Sequence, residues 1–450
     1  MGLSVVCLTA FLTFLVLGYN VGDGWKIERS GLLQINSNPT GATVRIDGEE
    51  GLLARTNLSR AYSSGTHLVT LVKSGYGQWE KKITITEGFY YRLSYPRLFL
   101  DKIEKKTISE ALEFDVLDKS PSGNEILGIN IEKMSFQLLK LDGDKMTAKE
   151  LAFDQVRNEA LVSAEIVEWS KSGDEVLLRL NYGGGADWVL LDLDDGADSV
   201  NLTATFGLDF EQIKMENSSA EKILVLSEGD LREINTKDKD ISRVLLSGVE
   251  RFDSMENVVA YVTVPDESGK VTVGVYTEGE KAGVKIRTIE NPTDEVFVVI
   301  DEYFEDDFLA IGTGNSLMIY QGKIPSYGQK VSSMSLIMNK ELSFKIEEVE
   351  TKGAGELIIA KNANMVAIMD AEAFAIEEYE MKDVDGKWLD EFMLYGTKDG
   401  KLTVWDFDNL NEKTLIGKGV KAGSLVTISS SGRWIYYFNE ENKLVVAKVS

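Results

Sequence analysis

From Lys102 onward the chain repeats one phrase and never settles into helical periodicity. The phrase is a polar turn with Gly or Asp, an apolar strand, a second turn, then another strand ending in aliphatics and Asp. FDVLDKSPSGNEILGINIEKMSFQLLKLD and VEWSKSGDEVLLRLNYGGGADWVLLDLD are two instances, and VTISSSGRWIYYFNEENKLVVAKV is another. The central strands recur roughly every thirty-five to fifty residues, with a mean near the mid-forties. A unit of that size is one small antiparallel sheet with two apolar faces, which it buries only by stacking on its neighbours. The predicted fold class is therefore all-β, with a β-propeller over residues 107–450. Eight phrases in about 350 residues favour eight blades, with seven the alternative if one phrase is a hairpin insertion. Closing the ring requires a partner for the strand LVVAKV, and the segment around Thr107 to Phe114 is placed to supply it.

Local motifs agree. Asp399, Gly400, Trp405 and Asp406 read D-G-x-x-x-x-W-D. Trp169, Ser170, Ser172 and Gly173 read W-S-x-S-G, and Ser429, Ser431 and Gly432 repeat that opening without the tryptophan. The region resembles WD-repeat and TolB-like β-propellers. Most phrases lack the Gly-His and Trp-Asp pairs of strict WD repeats, so the motifs support the architecture rather than a subfamily.

Residues 31–100 form a second unit. Short alternating runs are separated by Pro-Thr-Gly, Asp-Gly, Ser-Gly and Gly-Tyr-Gly turns, the grammar of a small antiparallel β-sandwich. In VRID, Val44 and Ile46 point to one face and Arg45 and Asp47 to the other, as in a half-buried strand. Pro39, Gly41, Ala42, Val44, Ile46, Asp47 and Gly48 open a pattern that Gly65, His67, Val69 and Leu71 continue, followed by Gly75, Tyr76 and Trp79. This pattern resembles the PEGA family, with Thr40 in place of its glutamate and Asn57 where the family usually has Thr-Pro. The resemblance implies an extracytoplasmic envelope module. Tyr76 and Trp79 are expected to cover one end of a small core, and they are also the candidate carbohydrate or partner contacts. Pro96 and the DKIEKK run suit a short connector over residues 95–106.

Gly2 to Val21 carries no charge and is long enough to cross a hydrocarbon core as a helix. No Lys or Arg precedes it, and it offers no good small-x-small cleavage site. Residues 2–21 are thus expected to be an uncleaved transmembrane signal anchor, a cleaved signal peptide being the rival. The bulk of the chain would then lie outside the cytoplasmic membrane.

Composition narrows the function. A formal net charge of −25 argues against nucleic acid, whose phosphates demand a basic face. Cys7, in the apolar run, is the single cysteine, so the remainder has neither disulfides nor thiol chemistry. His67 is the single histidine and lies on a predicted strand, which leaves no material for a histidine-dependent triad or a zinc site. The acidic turn with Asp192, Asp194, Asp195 and Asp198 could offer oxygens to Ca²⁺, but its spacing misses the calcium-loop pattern. Gly183, Gly184 and Gly185 lack the following Lys-Thr of a phosphate loop. Glu302 to Asp307 could pair carboxylates for glycoside hydrolysis, although acidic runs are usually solvated. No catalytic, cofactor or metal residue is assigned. The expectation is a non-enzymatic, membrane-anchored binding protein of the cell envelope with a protein or glycan partner. The alternative is an exported propeller hydrolase or lyase acting on envelope polysaccharide.

Overall fold

The computed structural model describes residues 19–21, 27–153, 156–216, 219–325, 327–328, 333–381 and 387–450. Residues 2–18 of the expected anchor lie outside these. Its last three, Tyr19–Val21, form strand β1 and pair antiparallel with residues 27–29, replacing the final helical turn expected there. Edge pairing satisfies the backbone groups that they turn toward residues 27–29. No helix among the described residues is long and apolar enough to cross a membrane.

The N-terminal body is a two-layer sandwich. Strand β2 (Ile27–Ile35) pairs antiparallel with β1 and with β5 (Leu58–Ser63), and parallel with β8 (Tyr90–Leu93). The second layer runs β4 (Glu49–Arg55), β3 (Thr43–Ile46), β6 (Gly65–Val72), β7 (Trp79–Ile85). Alternation decides which residues meet: Leu33 and Ile35 from one layer close on Val44, Val69, Leu71, Trp79 and Ile83 from the other. His67 is structural. Its Nδ1 lies 2.7 Å from Asp47 Oδ2 and its Nε2 2.9 Å from the Ser63 carbonyl.

The rest of the described chain is all strand apart from a few short turns of helix. Eight antiparallel sheets follow in order over residues 116–151, 161–201, 212–247, 249–290, 296–341, 348–380, 387–416 and 426–448. The third carries its outer strand in two pieces, Asp240–Ile241 and Leu246–Ser247. The eighth supplies only three strands of its own. Strand β9 (Glu104–Ala111), from the chain before the first sheet, pairs with Lys443–Lys448 to complete it. The sequence placed this closing strand three residues later.

Both faces of each sheet are buried, which is why the inner strands read as unbroken apolar runs. Leu317 and Ile319 enter the cluster shared with the sixth sheet, while Met318 and Tyr320, between and after them, enter the cluster shared with the fourth. Every successive pair of sheets shares such a core. The last of these joins Tyr436, Phe438 and Leu444 of the eighth sheet to Ile126, Leu139 and Leu141 of the first, so the sheets form a closed ring. Outer strands such as Lys145–Leu151 carry several charged, exposed side chains, which blunts their open edges.

The first strands touch from the first sheet to the second and from the third through to the sixth, placing them around the axis. A belt of polar contacts joins them. The Trp169 indole donates to Asp118 (3.0 Å), the Met215 N–H to Glu168 (2.8 Å), and the Ile300 N–H to Asp253 (2.8 Å). Gln212 donates to the Phe252 carbonyl (2.7 Å) and Thr351 to Asp301 (2.7 Å). The Gly353 N–H donates to Glu391 (2.8 Å), the Val426 N–H to the Tyr395 hydroxyl (3.1 Å), and Thr427 to the Gly123 carbonyl (3.0 Å). These contacts occupy all eight steps of the ring.

The S-x-S-G opening proves to be one recurring hairpin turn. Ser170 and Ser172 lie 3.1 Å apart through their hydroxyls, as do Ser429 and Ser431, and the Glu175 and Trp434 N–H groups donate to the first serine of each pair. Ser120, Ser122 and Gly123 are a third copy that was not recognised as such in the sequence.

Candidate functional site

The sandwich seats on one face of the ring, the face where the axial strands end. It touches turns of the fifth to eighth sheets. Lys81 organises the contact. In β7 it stands on the inward register with Trp79 and Ile83, and a charge at such a position must find a partner. Its ammonium lies 2.8 Å from Asp408 Oδ2, both side chains being nearly buried, and donates to the Tyr95 hydroxyl at 2.6 Å. It also sits 4.7 Å from the centre of the Phe407 ring.

Around it the junction is aromatic. Tyr95 stacks on Phe392 (5.2 Å between centroids) and meets Phe407 edge-on (5.1 Å). The Trp79 indole N–H donates to Asp406 Oδ2 (2.7 Å), which also accepts from the Asn411 amide (2.8 Å). Burial, with the Asp408 charge adding, pushes the Asp406 carboxyl up to about 7. Arg97 pairs with Asp390 at 2.7 Å, and the Arg92 N–H donates to Glu372 at 2.6 Å. Behind Glu372, Glu356 is 2% exposed, and its Oε1 has no hydrogen-bond partner among the described residues. Burial pushes its carboxyl up to about 8, the Asp370 and Glu372 charges adding and Arg92 opposing.

The two bodies do not meet everywhere. Between β7–β8 and the sixth sheet a cleft of about 440 Å³ stays open. Its rim exposes three rings: Phe89 (65%), Phe374 (53%) and Tyr90 (41%). Its walls carry Lys82, Thr84, Thr86 and four carboxylates, Asp370, Glu372, Glu377 and Asp408. Three of those carboxylates are already engaged. Asp370 accepts from the Glu372 and Ala373 N–H groups, Glu372 from Arg92 and Tyr303, and Asp408 pairs with Lys81. Glu377 alone of the four is without a hydrogen bond or ion pair among the described residues, and burial raises its pKa.

The residues singled out from sequence lie elsewhere or serve the junction. Trp79 is 1% exposed and has no ring face free for a sugar. Tyr76 is half-buried against the sandwich core, its ring 5.9 Å from the Lys73 ammonium. In the acidic turn, Asp192 accepts from the Asp194 and Asp195 N–H groups and Asp195 from Ala197, which caps a turn of 3₁₀ helix. Asp306 and Asp307 bond to Gln321 and to the Ile324 N–H. Sequence reasoning missed Lys81, Asp408 and the rim rings. The inward register of Lys81 was the available signal.

A second charged cluster fills the axis. Lys119 donates to the Trp388 (2.5 Å) and Leu389 (2.7 Å) carbonyls, reaching past the three-residue axial strand of the eighth sheet, Val426–Ile428. Burial pushes its ammonium down to about 8, against the opposing charges of Asp390 and Asp118. Lys214 pairs with Asp253.

Comparison with known families bears on the sandwich, and the decisive match is local. Residues 30–97 match the PEGA domain. The match spans the PEGA sandwich and ends before the ring begins. The ring is similar to solved propeller structures. One is the Cps50 (Swd1) β-propeller domain of Myceliophteria thermophila, with 10% identity, a TM-score of 0.43, and 77% of this chain and 100% of that one covered. Another is the oligogalacturonate lyase of Vibrio parahaemolyticus, with 10% identity, a TM-score of 0.41, and 76% and 99% covered. A chain of the mitotic checkpoint complex has 13% identity and a TM-score of 0.39, with 69% and 97% covered. No curated protein matches the sequence.

Proposed function

We propose that this chain is a non-enzymatic binding module of the cell envelope whose junction cleft receives a neutral glycan chain. In this reading the eight sheets are the blades of one closed propeller. Residues 2–18 tether the PEGA domain to the outer face of the cytoplasmic membrane. Their uncharged run is about the shortest that spans a bilayer.

The observation that carries the reading is the aromatic rim. Phe89, Tyr90 and Phe374 are exposed together at one cleft, where a soluble surface would normally carry polar side chains. Ring faces accept the C–H faces of sugars, and Thr84, Thr86, Lys82 and Glu377 offer hydroxyl partners beneath them. A polyanionic ligand fits poorly, because four carboxylates line the walls and the chain carries a net charge of −25. The cleft's chemistry also favours binding over hydrolysis. Glycoside cleavage uses two positioned carboxylates, and only Glu377 is uncommitted.

A glycan array followed by calorimetry on the full chain tests this. Phe374→Ala and Tyr90→Ala should each weaken a neutral oligosaccharide by about three- to tenfold. Reducing ends released from envelope polysaccharide would instead establish the hydrolase alternative, and unsaturated ends the lyase. Sedimentation of the chain with membranes, resisted by alkaline carbonate, checks the tether.

A further inference from the structure

On the face of the ring opposite the PEGA domain, where the axial strands begin, a cavity of about 320 Å³ lies among the seventh, eighth and first sheets. Its charged lining is two lysines, Lys387 and Lys421, against one aspartate, Asp115. Lys421 and Ser424 stand at the two ends of a single tight turn, closed by a Ser424 N–H bond to the Lys421 carbonyl at 3.2 Å. Lys387 reaches the same turn, its ammonium donating to the Gly423 carbonyl at 3.3 Å, which leaves it further N–H donors. Lys421 and Lys387 have no ion-pair partner among the described residues. Asp115 is the single carboxylate in the lining, and its Oδ2 is taken by the Ile131 N–H at 2.7 Å. In a chain with 73 Asp and Glu against 48 Lys and Arg, this cavity is lined by more lysines than carboxylates.

Ser424 gives an independent indication. The residue is 7% exposed and lines the cavity, yet its hydroxyl has no hydrogen-bond partner among the described residues. A buried donor left unmade is costly, and a ligand oxygen would satisfy it. Asn442 lines the same space and brings an amide donor to it. Two ammonium groups, a hydroxyl and an amide form a donor set suited to an anion with several oxygens.

We propose that this cavity at the seam of the ring binds a small phosphate-bearing molecule, with Lys387, Lys421, Ser424 and Asn442 as its donors. The phosphate belongs either to a free ion or to the end of a glycerol phosphate.

Calorimetric titration of the full chain with inorganic phosphate, and separately with glycerol 3-phosphate, tests the site. Saturable binding of either is expected, and the tighter one identifies the source. Lys421 is exposed, so Lys421→Gln should fold normally and weaken binding by about tenfold or more; Ser424→Ala should weaken it less. The proposal is overturned if neither probe gives a saturable signal beyond that of sodium chloride at equal ionic strength. It is equally overturned if the Lys387→Gln/Lys421→Gln chain, folded by circular dichroism, binds as the parent does.

Discussion

The indole N–H of Trp79 donates to the carboxylate of Asp406 across 2.7 Å, joining the PEGA sandwich to the seventh sheet of the ring. The partners lie 327 positions apart in the chain, and both are buried. Trp79→Phe keeps most of the ring volume and removes the donor. The expected loss is about 1–3 kcal/mol, read as a lower urea midpoint by circular dichroism with an unchanged slope. An unaltered midpoint would mean that the bond contributes nothing to docking.

Lys81 neutralises Asp408 in the same junction. Lys81→Met leaves a buried carboxylate without its counter-charge and should cost about 3–5 kcal/mol. Adding Asp408→Leu should recover most of that loss, because the isolated charge is then gone. A double variant as unstable as Lys81→Met alone would show that packing, and not charge, is lost.

Two buried acids make the junction sensitive to pH. Glu356 is raised from 4.5 to about 8 and Asp406 from 3.8 to about 7, so the folded chain holds both protons more tightly than the unfolded chain. Their contribution is fully present below the unfolded values and is lost as pH rises through the folded ones. Thermal stability should therefore fall between pH 5 and about 8.5. Glu356→Gln and Asp406→Asn should each flatten that fall. Scanning calorimetry across the range checks both the slope and its suppression; a rise in stability would reverse the assignment.

Gly123 turns at φ 69° in the first sheet, where an added Cβ would stand 1.9 Å from the Ile428 carbonyl oxygen of the eighth. Gly123→Ala should cost more than about 2 kcal/mol by combining left-handed strain with displacement of the Thr427 bond. Gly88, at φ 75° with open space around it, is the control, and its alanine variant should cost about 1–2 kcal/mol. Equal losses by denaturant titration would leave the seam contact without consequence.

The ring was legible because its grammar is local. The apolar run Leu317–Tyr320 and the turn chemistry of Ser170–Gly173 are written within a few residues, and every sheet of the ring but the eighth is built from neighbours in the chain. The cleft was not legible, because it arises where β7 meets turns more than two hundred residues away. Trp79 shows the difference. Its burial follows from strand register, but the acid that binds its indole comes from a W-D pair whose partner no local pattern names. The span before the sandwich read as a helix through Val21 because hydropathy is blind to edge pairing, which claims Tyr19–Val21 as strand.

Strand β9 is made before any sheet of the ring, yet it waits for Lys443–Lys448, with Ser109 finally bonding Leu444 at a separation of 335 residues. A growing chain thus carries an unmatched edge through the synthesis of seven sheets. The circle becomes a circle in a single late event, and until then the polypeptide is an open arc exposed to whatever strand it meets first.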